Sequence, residues 1–226
     1  MRIPLLNRFS CLPNQLNYFI KNLNKQSMYP ILDYINENPK DHENNFNTIK
    51  NLLIEYPKNF IAVKMSSLGI NQEYSLAEDY CDELIRIAKK NKTKILIDAE
   101  YNSIQYFINN YSTQAMKNHN KDQVWVYKTY QMYRKDSFET LMNDFLRRNT
   151  KNDYYLGIKL VRGAYLNQDR KHNIIYNTKI ETDYNYNQGV EYFSINSLEN
   201  DQLILATHNR YSIEKSLDLK EKNKIN

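Results

Sequence analysis

Six short stretches rich in β-branched and aliphatic residues punctuate the chain: PILDYI (30–35), FIAVKM (60–65), KILIDAE (94–100), VWVYKT (124–129), LGIKLVR (156–162) and LILAT (203–207). Each is apolar almost without interruption, the pattern of a strand covered on both faces in a parallel sheet. Polar segments with helical spacing lie between most of them. In 73–91, Leu76, Ala77, Tyr80, Cys81, Leu84, Ile85 and Ala88 form one apolar stripe, with Glu78, Asp79, Glu83 and Lys89 off it. This spacing predicts an amphipathic helix packed on a sheet, with Cys81 as a small core side chain. Helices are also expected over 136–149 and 181–199, although the second opens on the weak helix formers ETDYNYN.

Alternating strands and helices imply right-handed βαβ units and a parallel sheet, either open and doubly wound or closed as a barrel. The four glycines, at 69, 157, 163 and 189, form no G-x-G-x-x-G turn, and no P-loop is present. A nucleotide cofactor would therefore need a scaffold other than a Rossmann domain.

The 226 residues, 41% hydrophobic and 25% charged, suit one domain with a substantial core. The net charge is +5 and the lysines are dispersed, so a nucleic-acid partner is not expected. Cys11 and Cys81 fit neither a disulfide framework nor a zinc site, which points to a reducing compartment and no metal. No run approaches the roughly 20 apolar residues of a spanning helix, so any membrane contact is expected to be peripheral. The opening MRIPLLNRFS has two arginines and no acid, but it is too short and too poor in serine for a mitochondrial presequence. Residues 1–27 are read as an N-terminal arm or helical segment and 28–226 as a single, partial domain.

Chemically capable residues collect at the C-terminal ends of successive strands. They are Lys64 and Ser66, Asp98 and Glu100, Thr129 and Gln131, Lys159 and Arg162 leading into Gly163, and Thr207, His208 and Asn209. In a (β/α)8 barrel these ends meet on the face where such enzymes place their active sites. A purely structural Lys64–Asp98 ion pair is the bland alternative, because a charge in an apolar strand must be paired. A pair kept at a barrel mouth serves a ligand equally well.

The segments LIDAEYNSIQ (96–105), VYKTYQMY (126–133), GIKLVRGAYL (157–166) and ATHN (206–209) resemble the signature segments of eukaryotic-type proline dehydrogenases. IAVKMSSLG (61–69), YPILDY (29–34) and TKIETDYNYNQGVEYF (178–193) extend the likeness, in the same order, from about Met28 to about Leu217. The resemblance implies a TIM-type (β/α)8 barrel that oxidises L-proline to Δ1-pyrroline-5-carboxylate with FAD. It also implies a quinone as electron acceptor and the inner mitochondrial membrane as location. Carried over residue by residue, Gln131, Lys159, Val161, Arg162, Gly163 and Ala164 would contact the flavin, and Thr207, His208 and Asn209 would hold its nucleotide. Lys64, Asp98 and Tyr165 would form the catalytic, substrate-side set. Glycine at 163 allows close approach of a planar ring.

One family feature has no match here: the paired arginines of a Y-L-x-R-R-x-x-E-N motif on the eighth helix, which hold the substrate carboxylate. Arg147 and Arg148 are adjacent but precede the fifth strand, toward the opposite end of the barrel. Six strands stand where the resemblance calls for eight, so a fragment of a longer enzyme or a truncated gene product is expected. Strands supplied by another chain are the third option. The competing functions are a flavin-binding pseudoenzyme without turnover, and a barrel enzyme acting on a phosphorylated or sugar substrate, for which a glycine-rich phosphate loop is lacking.

Overall fold

A computed structural model describes residues 10–35, 41–151 and 153–223. Residues 1–9, most of the presequence-like stretch, lie outside the described residues. A short 3-10 turn, Pro13–Gln15, leads into α1 (Leu16–Lys25), and β1 (Ile31–Asp33), α2 (His42–Glu55) and β2 (Phe60–Val63) follow. Next come α3 (Tyr74–Lys90), β3 (Lys94–Ile97), α4 (Asn102–His119), β4 (Val126–Gln131) and α5 (Ser137–Lys151). The described chain closes with β5 (Gly157–Val161), α6 (Leu166–Asp169), α7 (Lys179–Asn196), β6 (Gln202–Leu205) and α8 (Arg210–Asn223).

Each apolar stretch holds one strand, and all pair in parallel in the order β1-β2-β3-β4-β5-β6. The expected helices at 73–91, 136–149 and 181–199 correspond to α3, α5 and α7. Despite its weak formers, α7 starts cleanly because Thr178 and Glu181 cap it reciprocally: the Thr178 hydroxyl accepts the Glu181 N–H, and Glu181 accepts the Thr178 N–H. Its Asn185, Tyr186, Val190 and Phe193 are buried, so packing outweighs intrinsic propensity there.

The sheet is curled. Lys94 of β3 donates to Gln202 Oε1 of β6 at 2.7 Å, and Tyr127 of β4 meets the same amide, so side chains from well-separated strands converge on one concave face. Leu96, Val124 and Tyr127, with Phe60, Tyr155 and Ile204 against them, form a small interior cluster. The convex face carries the larger core, where Ile61, Val63, Ile95, Ile97, Val126, Ile158 and Leu160 meet the apolar sides of the helices. Cys81 is buried there, as its place in the α3 stripe predicts. The architecture is the α/β, TIM-type barrel expected, with six strands among the described residues. No helix among the described residues is long and apolar enough to cross a membrane.

Candidate active site at the strand ends

Side chains alternate between the two faces of a strand, so register decides which strand-end residues share the concave face. Thr129 of β4 pairs with Lys159 of β5, and Gln131 with Val161, which places all four on one side. Asp98 joins them: it accepts from Lys159 at 2.6 Å and from the Thr129 hydroxyl at 3.4 Å.

A line of alternating charges crosses the mouth. Asp33, at the end of β1, holds Lys64 Nζ at 2.6 Å; Lys64 lies 3.7 Å from Asp98; and Asp98 is bonded to Lys159. The Lys64–Asp98 pair is therefore present, yet each partner has a closer one. Burial pulls the Lys64 ammonium pKa down, but the Asp33 hydrogen bond and the surrounding carboxylates outweigh it and leave the value above the ordinary one. Asp33 is absent from the residues selected from sequence. Its place as the polar residue interrupting the first apolar run is the same signal that picked out Asp98.

A second network ties the loops together. The buried Glu100 carboxylate accepts the Ser66 N–H at 2.9 Å and the Ser66 hydroxyl, and the Glu100 N–H donates to Gln105 at 2.7 Å. Gln131 donates to the Glu100 carbonyl at 2.8 Å and accepts the Ala164 N–H at 3.3 Å. Burial raises the Glu100 pKa, while the bonds from Ser66 oppose the rise.

The turn after β5 carries Gly163, Ala164 and Tyr165. Gly163 sits at φ +140°, and a Cβ added there would enter the Tyr133 ring, so both conformation and space demand glycine. Tyr165 is half-buried, edge-on to Tyr101 with ring centroids 5.8 Å apart. Burial first, then the Glu100 and Asp98 charges, push its hydroxyl pKa up.

Arg162 turns away from Lys159. It donates to Asp183 at 2.6 Å, to Thr207 Oγ1 at 2.6 Å and to Ser212 Oγ at 3.1 Å, with its guanidinium 4.3 Å from the Tyr186 ring centre. Thr207 also accepts the Asn209 N–H at 3.0 Å, and Asn209 caps α8 by accepting the Ser212 N–H at 3.2 Å. His208 is exposed beside them. Arg148 is fully buried against Asp201, which also accepts the N–H of Leu156 just before β5, placing that arginine at the opposite end of the strands.

The donor set fits a planar, electron-accepting group. Gly163 and Ala164 are exposed and carry at most a methyl, so they leave a shallow surface next to the mouth. Lys159 gives Asp98 one of its three N–H groups, and Gln131 commits one of its two amide N–H groups to Glu100. The remaining donors are of the kind that a flavin's ring nitrogens and carbonyls accept.

A sequence model of the proline dehydrogenase family matches residues 20–226. The Schizosaccharomyces pombe protein named "Probable proline dehydrogenase, mitochondrial" is 35% identical over 113 residues, 50% of this chain and 23% of that protein. The carbapenem antibiotics biosynthesis protein CarD of Pectobacterium carotovorum is 29% identical over 210 residues, 81% of this chain and 55% of that protein. The matches thus span about half or less of these relatives' lengths. Among solved structures, proline utilization A (PutA) from Bdellovibrio bacteriovorus superposes with a TM-score of 0.84 at 18% identity, covering 95% of this chain and 26% of that one. That likeness speaks to the fold alone.

Proposed function

Because the chain belongs to the proline dehydrogenase family, we propose that its strand ends form most of an FAD site oxidising L-proline to Δ1-pyrroline-5-carboxylate, with a quinone as electron acceptor. The observation that carries this reading is the Asp33–Lys64–Asp98–Lys159 line across the mouth. A zwitterionic substrate needs both signs of charge within a few ångströms, and this line supplies them.

FAD, when bound, supplies a two-electron acceptor for the hydride on the proline carbon next to nitrogen. Lys159 brings positive charge beside it, favouring the reduced form, and Asp98 holds Lys159 in place. Gln131, Val161, Gly163 and Ala164 would offer the contact surface; Arg162, expected with them from the sequence, instead bonds Thr207 and would join Thr207, His208 and Asn209 at the nucleotide portion. Asp98 and Lys64 orient the substrate's nitrogen and carboxylate, and Tyr165 walls the pocket and excludes water. The mitochondrial name of the S. pombe relative supports placement in that organelle; peripheral contact with the inner membrane is part of the same proposal.

One observation favours a second reading, a flavin binder that does not turn over. Lys64, Lys159 and Arg162 each already face a carboxylate of the chain itself. A proline carboxylate therefore has to compete for them or find a cation beyond the described residues.

The deciding experiment is the absorbance spectrum of the FAD-loaded chain before and after anaerobic proline. Bleaching of the flavin bands by proline supports the dehydrogenase. Bound flavin that proline leaves oxidised supports the second reading, and no flavin binding at all sinks both.

A further inference from the structure

We propose that Asp169 is a positioning residue: its buried carboxylate latches the turn that presents Gly163, Ala164 and Tyr165 to the loops after β3 and β4. The functional consequence for proline rests on the reading above. The latch itself does not.

Asp169 is fully buried at the end of α6, and a carboxylate there is costly unless its oxygens are satisfied. Its bonds lead to neighbouring loops rather than to its own helix. Oδ2 accepts the Tyr133 hydroxyl at 2.6 Å and lies 3.7 Å from Arg134 Nη1. Oδ1 accepts the N–H of Asn102, the first residue of α4, at 3.1 Å. Arg134 is itself anchored by Asp136 and by the Asn102 side chain, so the carboxylate meets a braced cation.

The turn closes on Tyr165 from within. The N–H groups of Gln168 and Asp169 both donate to the Tyr165 carbonyl, at 3.0 and 2.9 Å. Fixing Asp169 therefore fixes the backbone of Tyr165. Its ring then meets Tyr101, the residue directly before the Asn102 that donates to Asp169. The circuit Asp169, Asn102, Tyr101, Tyr165 is closed by two hydrogen-bonded links, one ring contact and one peptide bond. Tyr133 extends it: the ring whose hydroxyl Asp169 accepts is the one a Gly163 side chain would strike, and the Tyr133 N–H donates to the Arg162 carbonyl at 2.7 Å. One carboxylate thus sets both ends of the 163–169 turn.

The test uses the full chain with Tyr133→Phe, which removes only the hydroxyl, and Asp169→Asn. Amide hydrogen exchange is read first, without cofactor. Both variants are expected to speed exchange over 163–169 by about tenfold, as for loss of one buried, charge-assisted hydrogen bond, while Val126–Gln131 keeps its protection. With FAD and proline, KM should rise by a similar factor and kcat change less, since a loosened wall weakens substrate placement. Unchanged exchange in the turn, or equal loss of protection throughout the sheet, would overturn the latch. If Asp169→Asn fails to fold, Tyr133→Phe decides alone. A wild-type chain that binds FAD but ignores proline defeats the functional reading, yet leaves the exchange result to judge the latch.

Discussion

Lys159 Nζ lies 2.6 Å from Asp98 Oδ1, although β4 runs between the strands that carry them. Next-but-one strands are about 9.6 Å apart, so the contact needs a long side chain leaning across Thr129 and a sheet curled toward that face.

Replacing Lys159 by methionine is expected to slow proline-dependent flavin bleaching by about 100-fold or more, the usual cost of removing one electrostatic stabiliser from a site. The stability loss should be smaller, about 1–2 kcal/mol, because both side chains keep partial access to water and Lys64 remains near Asp98. Single-turnover absorbance and urea unfolding separate the two effects. A variant as fast as the wild type removes Lys159 from the chemistry.

Lys128→Met should show the opposite balance. Lys128 points to the convex side, 2% exposed, and donates to Asp144 at 2.7 Å in a buried network with Tyr130 and Thr113. Burial holds its pKa below the ordinary lysine value, and Asp144 opposes that drop only in part. Its loss leaves the buried Asp144 charge with the Thr113 and Tyr130 hydroxyls and with Arg147 at 3.9 Å, and should cost about 3 kcal/mol, the lower end for breaking a buried pair. Flavin affinity of the folded fraction should stay at the wild-type value, which fluorescence titration can check.

Gly163→Ala combines a left-handed backbone with a collision at Tyr133. The conformational strain alone is about 1–3 kcal/mol. Adding Tyr133→Ala should relieve the collision but not the strain, and it also removes the hydroxyl that Asp169 accepts, so the paired variant recovers only part of the lost flavin binding. Full recovery would mean that the φ of this turn is immaterial.

The pH dependence of stability carries a Glu100 contribution of known sign. Its folded pKa is raised, so the native chain keeps a proton that the unfolded chain has lost. Stability must then fall as pH rises from the unfolded glutamate value, about 4.3, through the raised folded value. Glu100→Gln is expected to flatten that decline, and the variant should gain on the wild type as pH increases through the window. Urea titrations at several pH values would show parallel curves if Glu100 were not the source.

The strands and the helices α3, α5 and α7 were legible because burial on both faces writes continuous apolar runs, and a helix on a sheet writes a stripe like that of α3; α2 and α4 were not singled out. The order of strand-end residues was legible too, since polar groups that interrupt such runs must be satisfied. Orientation was not. Lys128 and Lys159 sit in similar apolar runs, and nothing local distinguishes the one that points to a buried core network from the one that points to the mouth. Register with the neighbouring strands settles it.

Partner choice was equally hidden. The sequence by itself determined the alternation of parallel strands and helices and the set of groups delivered to the strand ends, because these follow from periodicity and spacing along the chain. The choice of a barrel over an open sheet came from the resemblance of its motifs to a family. Only the tertiary structure decided that Asp33 rather than Asp98 holds Lys64 closest, that Arg162 turns toward Asp183, and that Asp169 grips Tyr133. Ion pairs and hydrogen bonds act over a few ångströms between residues tens of positions apart, and that proximity exists only once the sheet has curled.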